Sequence, residues 1–181
     1  DLTFKLNFPT KNSGVFSLWG IGGTSKIAIE PSLYTEPQEE LYGLKDRDQY
    51  FGTSMFVTGM TYKKPINSKV FIKSTLAYSK ESQHSNHDYI FRHLDADDKW
   101  VYDADPYNMM GYRYDINKGM AYLSVNQKIN RRHYIKYGVN VDFYTYSMND
   151  SVRFDIADST SAYNVRWDYN SAAQSMLIKP F

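Results

Sequence analysis

Five aspartates crowd one stretch: Asp95, Asp97, Asp98, Asp103 and Asp105, in the run Asp-Ala-Asp-Asp-Lys-Trp-Val-Tyr-Asp-Ala-Asp. Calcium takes roughly six to eight oxygen ligands, and carboxylates at this spacing could supply several of them. The EF-hand pattern needs a Gly at its sixth position and a Glu at its twelfth, and neither is present. A solvated acidic loop tip is the competing reading. The same stretch interleaves Trp100, Tyr102 and Tyr107 with Asp103 and Asp105. Aromatic faces stack on apolar ligand surfaces and carboxylates accept hydrogen bonds, so these five residues form a candidate site for a glycan or peptide. The same rings could instead pack the loop onto its neighbours. Trp167, Asp168 and Tyr169 repeat the combination with less around them.

Other chemistry finds little support. His84, His87, Asp88 and His93 could ligate a transition metal, but the histidines lack the i, i+4 spacing of a zincin helix and read as exposed loop residues. Gly20 to Gly23 sit at a strand end with no helix to follow, so they make no phosphate loop. There is no nucleophile elbow and no supported acid–base pair. The chain has no cysteine, which excludes a thiolate metal site and a cysteine nucleophile. The expectation is a protein that is not an enzyme. It has no cofactor, with calcium the one candidate left open.

The elements that must position these residues read as strands. In residues 133–146, Ile135, Tyr137, Val139, Val141 and Phe143 alternate with Lys136, Gly138, Asn140, Asp142 and Tyr144. A strand puts successive side chains on opposite faces, giving one apolar and one polar face. Such a run reaches the roughly 9–11 tilted residues needed to cross a hydrocarbon layer. Further strands are expected at residues 2–8, 15–22, 49–62, 69–80, 118–127 and 173–181. Short turns at 9–14, 63–68 and 128–132 alternate with long polar excursions at 24–48, 81–117 and 149–172. A short helical turn is expected near residues 37–41.

Three excursions at one end of an up-and-down sheet fit poorly with a compact soluble sandwich, whose connections are mostly about 4–6 residues. They match the short periplasmic turns and long extracellular loops of an outer-membrane barrel. The apolar face would carry Phe4, Leu6, Val70, Ile72, Leu76, Leu123, Ile135, Val139 and Val141. The polar face would carry Lys5, Lys69, Lys73, Lys136 and Asp142. Tyr78, Tyr134, Tyr137 and Tyr146 would form an aromatic girdle near strand ends. A soluble sheet with one wet face gives the same alternation. Alternation alone does not orient the strand from Gln49: Phe51, Met55 and Val57 share one face, and Tyr50, Phe56 and Met60 the other.

Composition agrees with this class. Aromatics make up 17% of the 181 residues, with 17 Tyr, and tyrosine suits places where a ring meets apolar matter and its hydroxyl meets water. The formal charge of +1 gives no reason to expect nucleic acid. No run of about 18 apolar residues offers a transmembrane helix. The chain opens on Asp1 and already reads as strand, so either a leader has been removed or these residues are an excerpt of a longer polypeptide.

Residues 1–23, Asp-Leu-Thr-Phe-Lys-Leu-Asn-Phe-Pro-Thr-Lys-Asn-Ser-Gly-Val-Phe-Ser-Leu-Trp-Gly-Ile-Gly-Gly, resemble a barrel hairpin of TonB-dependent outer-membrane receptors of Bacteroidetes-type bacteria. The resemblance is closest to receptors with a carboxypeptidase-regulatory-like N-terminal domain. Residues 130–150 resemble a later hairpin of the same barrels, and residues 175–181 the strand that follows. The resemblance implies a 22-stranded barrel in the bacterial outer membrane, with a plug domain and a TonB box that are absent from this chain. Residues 1–181 would be a partial β-barrel domain of about seven strands in a transporter for a nutrient such as a glycan, peptide or metal chelate. Implied partners are outer-membrane lipid, the remaining barrel and plug segments, TonB through the plug segment, and a surface lipoprotein. Lys179 and Pro180 break the alternation expected before a terminal Phe, so Phe181 reads as a cut. The alternative is a small autonomous outer-membrane or soluble β-domain that binds a surface glycan or protein without transport.

Overall fold

The computed structural model describes residues 1–38, 43–155, 158, 160–170 and 175–181. The long strands are β1 (Leu2–Thr10), β2 (Gly14–Ile29), β3 (Arg47–Asn67) and β4 (Val70–Tyr89), and later β7 (Tyr107–Lys128) and β8 (Tyr134–Arg153). Two short strands, β5 (Arg92–Leu94) and β6 (Trp100–Tyr102), form a separate hairpin between β4 and β7. β9 (Tyr163–Asn170) and β10 (Ser175–Pro180) close the chain. All pairings are antiparallel, and the order β1-β2-β3-β4-β7-β8-β10 follows the sequence. β9 and β10 pair with successive stretches of β8: Asn170 opposes Ser147 and Ser175 opposes Tyr144. They therefore occupy one strand position, and the sheet is an all-β meander of seven positions. Its first and last strands are not paired with one another among the described residues.

The register sorts the side chains as the alternation requires. One rung aligns Leu6, Leu18, Met60, Leu76, Ala121, Val141 and Ile178 across all seven positions. Its neighbours on that face carry Phe8, Phe16, Tyr62 and Leu123 below, and Phe4, Tyr78, Phe143 and Met176 above. The other face carries Lys5, Trp19, Thr61, Lys73, Tyr122, Asn140, Asp142 and Lys179. β3 is thereby oriented: Met60 and Phe56 lie on the apolar face, and Val57, Met55 and Phe51 on the polar one.

Burial is inverted relative to a water-soluble domain. Leu6, Leu76 and Ile178 are 52%, 57% and 54% exposed, whereas Ser17, Thr61, Ser79, Ser124 and Asp142 on the polar face are buried. Among the described residues only Ile90 and Met109 are fully buried hydrophobics, and both lie at the long-loop end. No second sheet or helix layer covers the apolar face; the one helical element described is a 3-10 turn at Pro31–Leu33. Crowding on one face and splaying on the other is what a sheet curling toward its polar side produces.

The strands run further than alternation indicated. β4 continues to Tyr89 and β7 begins at Tyr107, so much of the expected 81–117 excursion is strand. β2 likewise reaches Ile29, β8 reaches Arg153, and β9 lies inside the expected 149–172 loop. In the β4 extension both faces are polar, as in Ser82, Gln83, His84, Ser85 and Asn86. Hydrophobic alternation therefore vanishes while the backbone ladder persists. Lys69 belongs to the β3–β4 turn, where its carbonyl accepts the Lys128 amide at 2.8 Å. Tyr146 is mid-strand on the polar face, stacked on Tyr144, because β8 runs on past it. The helical turn expected near residues 37–41 lies partly outside the described residues.

Candidate functional site

The polar face forms a continuous wall. Trp19 lies across Gly59: a Cβ there would sit 2.6 Å from Trp19 Cζ2, so only glycine leaves room for the indole. The indole Nε1 donates to Thr61 Oγ1 at 3.1 Å, and Thr61 shares a hydrogen bond with Thr75. Ser17 donates to Asn7 at 2.7 Å. Further along the rungs Asp142, 2% exposed, accepts Asn140 Nδ2 at 3.0 Å and sits 3.3 Å from Lys118 Nζ and 3.9 Å from Lys179 Nζ. Lysine ammoniums lie over ring faces: Lys73 over Tyr122 at 5.5 Å, Lys118 over Tyr144 at 5.0 Å and Lys136 over Phe181 at 5.3 Å. The ring contribution offsets part of the cost of crowding cations on a sheet. At the edge, Lys5, Lys63, Lys73 and Trp19 line an open groove of about 520 Å³.

Above the wall, the long connections fold into a cap. Asp48 is buried and accepts both the Ser32 amide (3.0 Å) and the Ser32 hydroxyl (2.7 Å), holding the 3-10 turn against β3. Gln49 Oε1 accepts the Leu44 amide at 2.8 Å. Arg92 donates to the carbonyls of Pro31 (2.8 Å) and Lys45 (2.9 Å) while its guanidinium lies 4.1 Å from the Trp100 ring centre. Arg153 reaches the carbonyls of Asn108 (2.7 Å) and Ser161 (2.6 Å) and lies over the Tyr107 and Tyr163 rings.

Electrostatics at this end follow from burial and close pairing. Burial, and then the hydrogen bond to Glu30, pushes the Tyr50 hydroxyl up to about 12. Burial, and then the Arg47 charge, holds the His87 imidazole below its ordinary value. The Arg47 guanidinium, 2.7 Å away, holds the Asp46 carboxyl below the usual carboxylate range.

The ligand-binding residues singled out from sequence fall into different roles. Trp100 donates its amide to the Thr35 carbonyl at 2.8 Å, and the Tyr102 hydroxyl donates to the Ser32 carbonyl, so both attach the β5–β6 hairpin to the 3-10 segment. Tyr107 opens β7 and stacks on Phe91 at 5.3 Å; burial raises its hydroxyl pKa. Asp103 pairs with His93 Nδ1 at 2.9 Å, both more than half exposed, and Asp105 is exposed. Asp95 Oδ1 accepts the amides of Asp97 and Lys99, a turn-forming role, and Asp98 holds the turn with φ 59. The five aspartates do not converge: among the described residues no group of three or more His, Asp or Glu is placed to hold a metal ion. The same holds for His84, His87, Asp88 and His93. His84 faces the apolar side's polar extension, and His87 the other side.

Sequence reasoning missed Arg92, Asp48 and Arg153, which organise the cap. Each acts on a backbone carbonyl or amide distant in sequence, and no spacing rule marks such a residue. No protein-family model, curated protein or solved structure matches this chain. Its class is defined by its own geometry: an open antiparallel meander with one bare apolar face, one lysine–tyrosine face and a polar cap at a single end.

Proposed function

We propose that residues 1–181 form a wall sector of an outer-membrane β-barrel of the TonB-dependent receptor kind, serving uptake of a nutrient ligand. The bare apolar face carries the proposal. On β4 the face that carries Val70, Ile72, Leu76 and Tyr78 and is closed by Lys80 at its rim is about 33 Å long at roughly 3.3 Å per residue, and a tilt near 40° shortens that to about 25 Å. That is the height of the lipid-facing band of such barrels. Hydrocarbon covers this face at no cost, whereas water would leave a contiguous apolar sheet exposed. No helix of the described residues is long and apolar enough to cross a membrane, and strands cross without one.

The edges support a sector over an autonomous domain. Among the described residues, β1 and the β9/β10 position each present an unpaired backbone edge. In lipid each unpaired group costs several kcal/mol, so further strands must close the sheet. The turn ends would face the periplasm, and the cap would face outward and capture ligand, with Trp100, Tyr102, Asp103, Asp105 and Tyr107 in that region. The test is extraction and flotation of the full polypeptide carrying these residues. It should need detergent to leave the membrane fraction and should float with liposomes after reconstitution. A monodisperse protein in detergent-free buffer would overturn the proposal and favour the autonomous glycan- or protein-binding domain.

A further inference from the structure

Five successive polar-face rungs within the apolar band each hold a lysine. From the short-turn end upward these are Lys136, then Lys63 with Lys73, then Lys179, Lys5 and Lys118. Rungs on one face are two residues apart, about 6.6 Å, so the stair climbs about 27 Å along the strands. Asp142 is the one carboxylate on these rungs, and it is buried between Lys118 and Lys179. Lys5, Lys63, Lys73 and Lys136 have no carboxylate partner among the described residues. Lys63 and Lys73 face each other directly across β3 and β4, a like-charge pairing that destabilises a sheet. A solvated face selected for stability would mix signs. Apart from the buried Asp142, this face carries only positive charge on these five rungs, and it lays three of its ammoniums over aromatic rings, against the wall.

We infer that this stair is a conduit for polyanionic ligands, those carrying several carboxylate or sulfate groups, of which acidic oligosaccharides are the class that also uses the flanking rings. The inference rests on the barrel-wall reading and adds the ligand's charge to it. Same-sign charge along a low-dielectric wall concentrates counter-ions, and many weak equivalent sites allow both entry and exit. Beside the ammoniums Tyr122 is stacked on Phe181 and Tyr144 on Tyr146, so the stair is bordered by half-buried rings whose edges favour ring-bearing anions over small inorganic ones.

The test uses the full polypeptide in detergent micelles and, as probes, a short dextran sulfate oligomer and unsulfated dextran of the same length. Calorimetry should show binding of the sulfated oligomer only, weakening as salt rises. Replacing Lys5, Lys63, Lys73 and Lys136 together by Gln should weaken it roughly tenfold or more, whereas Lys26→Gln with Lys80→Gln on the opposite face should leave it unchanged. Equal binding of both dextrans by a detergent-requiring protein would overturn the conduit and leave the barrel reading standing. No sulfated-oligomer binding, with the four-lysine variant losing its heat-resistant mobility, would mean that an acidic protein segment already covers the stair, and would also overturn it. A protein soluble without detergent would overturn both readings.

Discussion

Leu76 sits in the middle rung of the apolar face, 57% exposed, with Met60 and Ala121 beside it on the neighbouring strands. Leu76→Arg puts a charge at the centre of that face without disturbing a packed neighbour above it. If hydrocarbon covers the face at mid-depth, the substitution costs about 2–4 kcal/mol. At about 1.4 kcal/mol per decade, that lowers the folded-to-unfolded ratio by roughly thirty- to a thousand-fold. If water covers it, the change stays within about 0.5 kcal/mol. Depth adds a second constraint. Phe56→Arg, two rungs higher at the rim of the band, should cost only about 0–1 kcal/mol in lipid because the side chain reaches the interface. Thr75→Arg, the next residue along β4 but on the polar face, meets no hydrocarbon; it gives up the hydrogen bond to Thr61 and should cost only about 0.5–1.5 kcal/mol. Urea unfolding of the full polypeptide in liposomes, followed by tryptophan emission, measures all three. A Leu76→Arg cost below about 0.5 kcal/mol, or equal costs for Leu76 and Thr75, would refute lipid cover.

Other consequences are equally specific. Gly59→Val should force Trp19 off its site, cost about 1–3 kcal/mol and shift tryptophan emission; in a Trp19→Ala background only part of that cost should disappear, because the added Cβ also meets Ala77 Cβ at 2.8 Å and the Leu76 carbonyl at 2.9 Å. Arg92→Ala removes two hydrogen bonds and the stack on Trp100, so the β5–β6 hairpin should lose about 1–3 kcal/mol of local stability. It should become cleavable near Lys99 in limited proteolysis. The lowered His87 pKa has a defined sign. Below the ordinary imidazole value of about 6.5 the unfolded or opened state takes a proton that the packed ring refuses, so local stability falls as pH drops from there toward the folded value. Amide protection factors at the upper ends of β4 and β7, taken relative to the intrinsic exchange rate at each pH, should therefore fall between about pH 7.5 and 5, and His87→Gln should flatten that dependence. The Asp46–Arg47 pair acts in a separate window, losing its contribution only as pH falls below the usual carboxylate range.

Much of the sheet was legible because its central part obeys one rule. Alternation in 133–146 gave the two faces of β8, and the turns after β1 and β7 fell close to the expected residues. The turn after β3 is shorter than the expected 63–68, because residues 63–67 stay in β3, with Pro65 itself paired to β4. What alternation could not see was the upper half of each long strand. Residues such as Ser82, Gln83 and Asn86 are polar on both faces of β4, so they carry no hydrophobic period, and only the cross-strand ladder holds them extended. Facing was ambiguous at β3 because both of its faces are apolar; register with Leu18 and Leu76 decided it. The cap was the least legible part. The roles of Trp100 and Tyr102 depend on Thr35 and Ser32, some seventy residues away, and the aspartate cluster is divided between a turn and a histidine pair.

The 181 residues contain no cysteine, so a single introduced cysteine carries a spin label without competition from any of them. Labels at Leu76→Cys, Leu123→Cys and Thr75→Cys in the full polypeptide, reconstituted in bilayers, can be compared for collision with oxygen and with a water-soluble nickel chelate. Lipid cover predicts that oxygen dominates at 76 and 123 and the nickel chelate at 75. Nickel access at all three, or shielding of 76 and 123 from both reagents, would contradict it.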